Sequence, residues 1–312
     1  MIGRFVPGLI ALSLAFLLGS PASAGEELKL KLATLAPRGS VYYQILTTMK
    51  EKWRAAPCCG VNLIIYPDGS QGSESDMVRK MRTGQIQASM MTAAGLAEIE
   101  DSVNALQNMP MMFRDFTEVE LVRVKLRPGI EKKFAEKGFV LLALEDAGWV
   151  KFFATQPLQT PEDLMKLKLF ALSSDVKALE IWRSAGFNPV ALDTIDMVTG
   201  LTTKRIDAVP APPTYANAMQ IASLAKHMLN LNWAPLVGGL VVKKDAWDKI
   251  PEATRAALQE AAAQAGRDLM AKTRQENDEA EEAMKKRGLI VHSISPEVEK
   301  RWIATAEKAY PM

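Results

Sequence analysis

The chain has 312 residues, 48% of them hydrophobic and 24% charged, with a formal net charge of +2. So even a balance leaves no electrostatic footprint for nucleic acid or an anionic membrane, and the length fits two lobes of about 100–200 residues each. The cysteines, Cys58 and Cys59, are adjacent in a turn at residues 57–60 and cannot staple distant segments. A strained vicinal disulfide, intermolecular pairing and free thiols all stay open. With His227 and His292 the only histidines, the sequence holds no zinc ligand set, and no cofactor is expected.

Arg4 precedes an apolar run at residues 9–18, which is followed by Ala22, Ser23 and Ala24. That order predicts a signal peptide over residues 1–24, cleaved after Ala24. The run is about half of the roughly 20 residues a spanning helix needs. Alternation at residues 28–32 predicts a strand, Ser40 an N-cap, and Val41, Ile45, Met49 and Trp53 one apolar helical face. A strand at residues 61–66, turn residues at 67–70, a capping box from Ser73 to Asp76 and a strand at 86–91 continue the rhythm. Strand and helix alternating at this spacing point to a parallel α/β sheet.

Residues 116–136 read as a helical stretch interrupted by Pro128 and Gly129, and residues 139–144 as a buried strand. The pattern then restarts: a strand at 150–154, a short helix from Thr160, a strand at 167–172, a helix at 175–185, and further strands near 189–192 and 236–242. Residues 251–287 predict a long helix with Gly266 as its one internal glycine, and residues 291–312 a last strand end and helix. The expected fold is α/β: two lobes (25–145 with 236–290, and 146–235) around an interdomain cleft, with crossing hinge strands near 141–145 and 231–236. Such a pair binds small molecules by hinge closure.

Three segments carry a resemblance to a known family: residues 33–40 (ATLAPRGS), residues 66–74 (YPDGSQGSE) with Met77 and residues 83–88, and residues 160–169 (TPEDLMKLKL) with residues 185–190. In this order they resemble the solute-binding subunits of TRAP (tripartite ATP-independent periplasmic) transporters. The resemblance implies a periplasmic receptor that closes on a small molecule and delivers it to membrane permease subunits. Members of that family commonly hold organic acids through an Arg, whose planar fork matches a carboxylate.

This chain departs from the pattern at three places: Phe170 stands at the Arg position, Val150 follows Gly148 and Trp149 where a second basic residue is common, and Ala211 replaces an Asn. A carboxylate buried without a compensating charge is strongly penalised, so the expected ligand is apolar or weakly polar. An organic acid held by a relocated Arg is the alternative, with Arg38 and Arg114 as replacement cations. The segment at residues 148–154, with Phe170, Ser174 and Asp175, is most similar to a subgroup that works with a periplasmic tetratricopeptide-repeat protein.

The expected ligand-binding set is Phe170, Trp149, Val150, Phe152, Ala211, Pro212, Tyr215, Met91, Thr92, Trp233, Asp175 and Arg38, with Met90 and Phe153 as neighbours and helix capping as the other reading of Asp175. No catalytic residues are expected: the Gly69–Ser73 segment lacks the spacing of a serine nucleophile elbow, and neither a Walker nor a dinucleotide motif occurs.

Overall fold

The structure, a computed structural model, describes residues 28–310 together with residues 1 and 3. The leader expected up to Ala24 otherwise lies outside the described residues. The elements are β1 (Leu28–Thr34), α1 (Val41–Arg54), β2 (Val61–Tyr66), α2 (Glu74–Arg82), β3 (Ala88–Thr92), α3 (Ala93–Ala97), α4 (Phe116–Glu136), β4 (Phe139–Ala154), α5 (Pro161–Met165) and β5 (Lys168–Leu172). They continue with α6 (Val176–Ser184), β6 (Asn188–Leu192), α7 (Met197–Thr202), β7 (Ala208–Ala211), α8 (Pro213–Ala218), β8 (His227–Lys243), α9 (Lys244–Asp248), α10 (Glu252–Lys286), β9 (Ile290–His292) and α11 (Pro296–Ala306).

All strands join one sheet in the order β2-β1-β3-β8-β4-β7-β5-β6, with β9 on β8. β1 pairs in parallel with β2 and β3, and β5 in parallel with β6 and β7. Between these two sets run β4 and β8, 16 and 17 residues long and antiparallel from Phe139↔Lys243 to Ala154↔His227. The strands expected at 139–144 and 150–154 are therefore one strand. Its register shifts at Asp146/Trp149, where Gly148 has a φ of 101°. A Cβ at Gly148 would stand 2.0 Å from Asn277 Nδ2 on α10, so only glycine fits.

Local signals set the helix starts. Ser40 Oγ accepts from Tyr43 N, capping boxes run from Ser73 to Asp76 and from Thr160 to Asp163, and Asp175 accepts from Ala178 N. The break expected at Pro128 does not occur, and α4 runs through it. Proline deprives the Val124 carbonyl of its helical partner, but Val124 is 56% exposed, so water can take that place. The turn is further held from outside by Arg127, which donates to the Leu142 carbonyl at 3.2 Å.

The long helix α10 lies along β4, α1 and α8. Trp53 Nε1 donates to the Leu258 carbonyl at 3.1 Å, tying α1 to it, and Arg274 and Lys151 form ion pairs between it and β4 with Asp146 and Glu281. At the other end of the sheet, Phe152, Trp182, Phe187, Trp233 and Trp302 build an aromatic core, and Trp302 of α11 donates to the Gln159 carbonyl.

Candidate functional site

The parallel strands of both halves end at one place, where open α/β sheets present ligands. The carboxyl ends of β1 and β3 contribute Thr34, Met91 and Thr92; β5 and β7 contribute Phe170, Leu172 and Ala211. Between them lies a cavity of about 300 Å³, at the lower end of the range usual for small-molecule sites. β4 floors it with Glu145 and Val150, and α10 with Ala262 and Gly266.

α1 turns Tyr42 into the cavity because Val41, Tyr42 and Ile45 share its buried face. The Tyr42 hydroxyl lies 3.0 Å from Thr214 Oγ1 on α8, and burial pushes its pKa up to about 12 even though that hydrogen bond opposes the shift. Burial likewise raises Tyr215, beside Tyr42 and Glu74.

Glu74 is a buried carboxyl, raised by burial and held by Thr92, whose N and Oγ1 both donate to it at 2.6 Å. Through these bonds Glu74 serves the start of α3, whose N-cap residue Thr92 makes no side-chain capping bond to the helix backbone. Gly95 permits the approach, since a Cβ there would meet the Glu74 side chain at 2.8 Å.

Glu145 is pushed up to about 7 by burial, opposed by Arg123 and Arg127, whose guanidinium nitrogens stand 3.0 and 3.6 Å from its carboxylate. Asp175 is raised by burial and lowered by its capping bond from Ala178 N. Among the described residues no Lys, Arg or His lines the cavity, while Glu74, Glu145 and Asp175 do.

The sequence model of the DctP family, bacterial extracellular solute-binding protein, family 7, matches residues 32–312. The chain belongs to this family. The C4-dicarboxylate-binding periplasmic protein DctP of Rhodobacter capsulatus is 25% identical over 303 residues, 95% of this chain and 88% of that protein. The 2,3-diketo-L-gulonate-binding periplasmic protein YiaO of Escherichia coli is 26% identical over 214 residues, 66% and 63% of the two chains. The fold matches a TRAP periplasmic solute binding protein of Shewanella oneidensis with bound succinate, TM-score 0.85 at 16% identity, covering 92% of this chain and 94% of that one. One from Citrobacter koseri with bound D-glucuronate gives 0.83 at 23% identity, covering 91% and 94%. The two-lobed α/β fold expected from sequence is the fold of these DctP-family proteins, and the family is one of receptors.

In this DctP-family chain, Phe170, Val150, Ala211, Pro212, Tyr215, Met91, Thr92, Trp233 and Asp175 line the cavity, as does Met90. Trp149, Phe152 and Arg38 are placed elsewhere. Trp149 stacks on Phe116 of α4 at 5.0 Å. Phe152 packs in the same cluster as Val150 but is covered by Trp182 and Trp233, which take the lining positions. Phe153 is buried in a separate core cluster. Arg38 pairs with Asp68 and its side chain is 67% exposed; Arg114 pairs with Glu118 and is 86% exposed. Both proposed replacement cations thus stand outside the cavity.

Sequence reasoning missed Tyr42, Glu74, Glu145 and Trp182. For Glu145 a signal existed in Gly266: a Cβ on that lone helix glycine would meet Glu145 Cγ at 2.9 Å, marking where α10 presses on β4.

Proposed function

We propose that this protein is the receptor of a TRAP-type transporter that closes over a neutral, largely apolar small molecule and hands it to the membrane permease. On this reading residues 25–145 with 236–290 form one lobe and 146–235 the other. The carrying observation is the lining of the cavity: three carboxyl side chains, an apolar majority, and no cation among the described residues. An anionic ligand would lose its hydration there and gain no opposite charge, a cost of several kcal/mol per ion. A neutral ligand meets Phe170, Met91 and Trp233 without that cost, and the adaptable Met side chains suit irregular apolar shapes. The tetratricopeptide-repeat partner implied by the segment at residues 148–154 belongs to the same reading.

A second reading, an organic acid held by a relocated Arg, is favoured by the relatives, whose names and bound molecules are succinate, D-glucuronate and C4-dicarboxylates. It requires a cation that enters the cavity on closure, and Arg38, two residues beyond the lining residue Ala36, is the one positioned to be tested.

Native mass spectrometry of protein purified without denaturation, with thermal-shift titration of succinate and D-glucuronate, separates the two. A copurifying neutral apolar molecule and no stabilisation by the acids supports the first reading. Stabilisation by either acid, abolished in Arg38→Ala, replaces it with the second.

A further inference from the structure

We infer that Trp182 is a length stop for the ligand, so that the cavity selects among apolar molecules by the reach of a straight chain; this rests on the apolar reading above. Beside the main cavity lies a smaller hollow of about 50 Å³. Both are lined by Asn108, Trp182 and Trp233, among other residues, and the hollow is closed on its far side by Phe187 and by Thr305 and Ala306 of α11. What stands between them is an aromatic pair: the Trp182 and Trp233 rings stack at 5.3 Å with planes 18° apart.

The members of this pair are not equally replaceable. Trp233 is buried on the crossing strand β8, packed on Phe152 and Trp302. Trp182 is half-buried on the nine-residue helix α6, whose start is capped by Asp175 of the same cavity. Trp182 is therefore the member whose truncation joins the two spaces while β8 stays in place. A chain ending short of Trp182 buries its length in the main cavity, and a longer one must displace an indole packed against Trp233 and Phe187. Close-packed interiors yield poorly to such displacement.

The test titrates the full-length mature protein and its Trp182→Ala variant with straight-chain primary alcohols from hexanol to tetradecanol, read by calorimetry. In the unaltered protein each added methylene should tighten binding about fourfold up to a break, beyond which affinity levels or falls. In Trp182→Ala the break should move to longer alcohols, while the shorter ones change little. Trp182→Leu, which keeps an apolar side chain against Trp233, should move it less and serves if the alanine variant does not fold. A break at the same chain length in all proteins overturns the length stop and leaves the apolar reading standing. Failure of every alcohol to bind any of the proteins overturns the apolar reading and the length stop with it.

Discussion

The Tyr42 hydroxyl on α1 and Thr214 Oγ1 on α8 lie 3.0 Å apart across the cavity, joining residues 172 positions distant in the chain. Thr214 is fixed from behind, its backbone N donating to Asn277 Oδ1 of α10 at 3.0 Å. The bond joins the two parallel-strand units across the cavity. Tyr42→Phe removes it and keeps the ring. A hydrogen bond of this kind is worth about 1 kcal/mol net, so ligand affinity should fall about fivefold, and small-angle scattering of the ligand-bound protein should show a larger open fraction.

Asp146 is fully buried on β4 and receives Arg274 of α10 at 2.5 and 3.2 Å, with the guanidinium 4.0 Å over the Phe116 ring. Arg274→Ala leaves a buried carboxylate without its partner, a loss of about 3–5 kcal/mol. The melting temperature should drop by about 10 °C, and Arg274→Lys, which cannot reproduce the fork, should recover only part of it.

Glu145 makes stability depend on pH. Its pKa in the folded protein, about 7, lies above the unfolded value because burial disfavours the charge. The folded chain thus holds the proton more tightly than the unfolded one, a contribution fully present below the unfolded value and lost as pH rises through about 7. Between about pH 5 and about pH 8 the protein should lose about 2–3 kcal/mol relative to Glu145→Gln. Urea unfolding of both proteins at the two pH values measures it, and equal slopes would show that Arg123 and Arg127 hold Glu145 charged throughout.

Phe170→Arg places a cation midway along β5, at the cavity wall. Binding of neutral apolar molecules should be lost, with succinate stabilising the variant and not the parent in a thermal-shift assay. Unchanged binding of both classes would remove Phe170 from the ligand site.

Helix propensity alone says that Gly266→Ala stabilises α10 by about 1 kcal/mol. The structure reverses the sign. The new Cβ would meet Glu145 Cγ at 2.9 Å and Ala143 Cβ at 3.1 Å, and overpacking of that kind costs about 1–3 kcal/mol. A lowered denaturation midpoint is the expected result.

The helix starts are legible in the sequence, since Ser40, Ser73, Thr160 and Asp175 cap through bonds to residues only a few positions away. So are the alternating α/β order and the family, whose motifs lie in continuous segments, and the cue that position 170 carries no cation. That residues 139–154 form one crossing strand emerges only on folding, because its continuity past the register shift at Asp146 depends on pairing with β8. The cavity lining belongs to the same class. Strand periodicity puts Val150 and Phe152 on one face, but two tryptophans from α6 and β8 cover Phe152. Glu74 and Tyr42 enter the site through α2 and α1, by packing between segments far apart in the chain. Local propensity reaches only a few residues, and neither position announces its far partner.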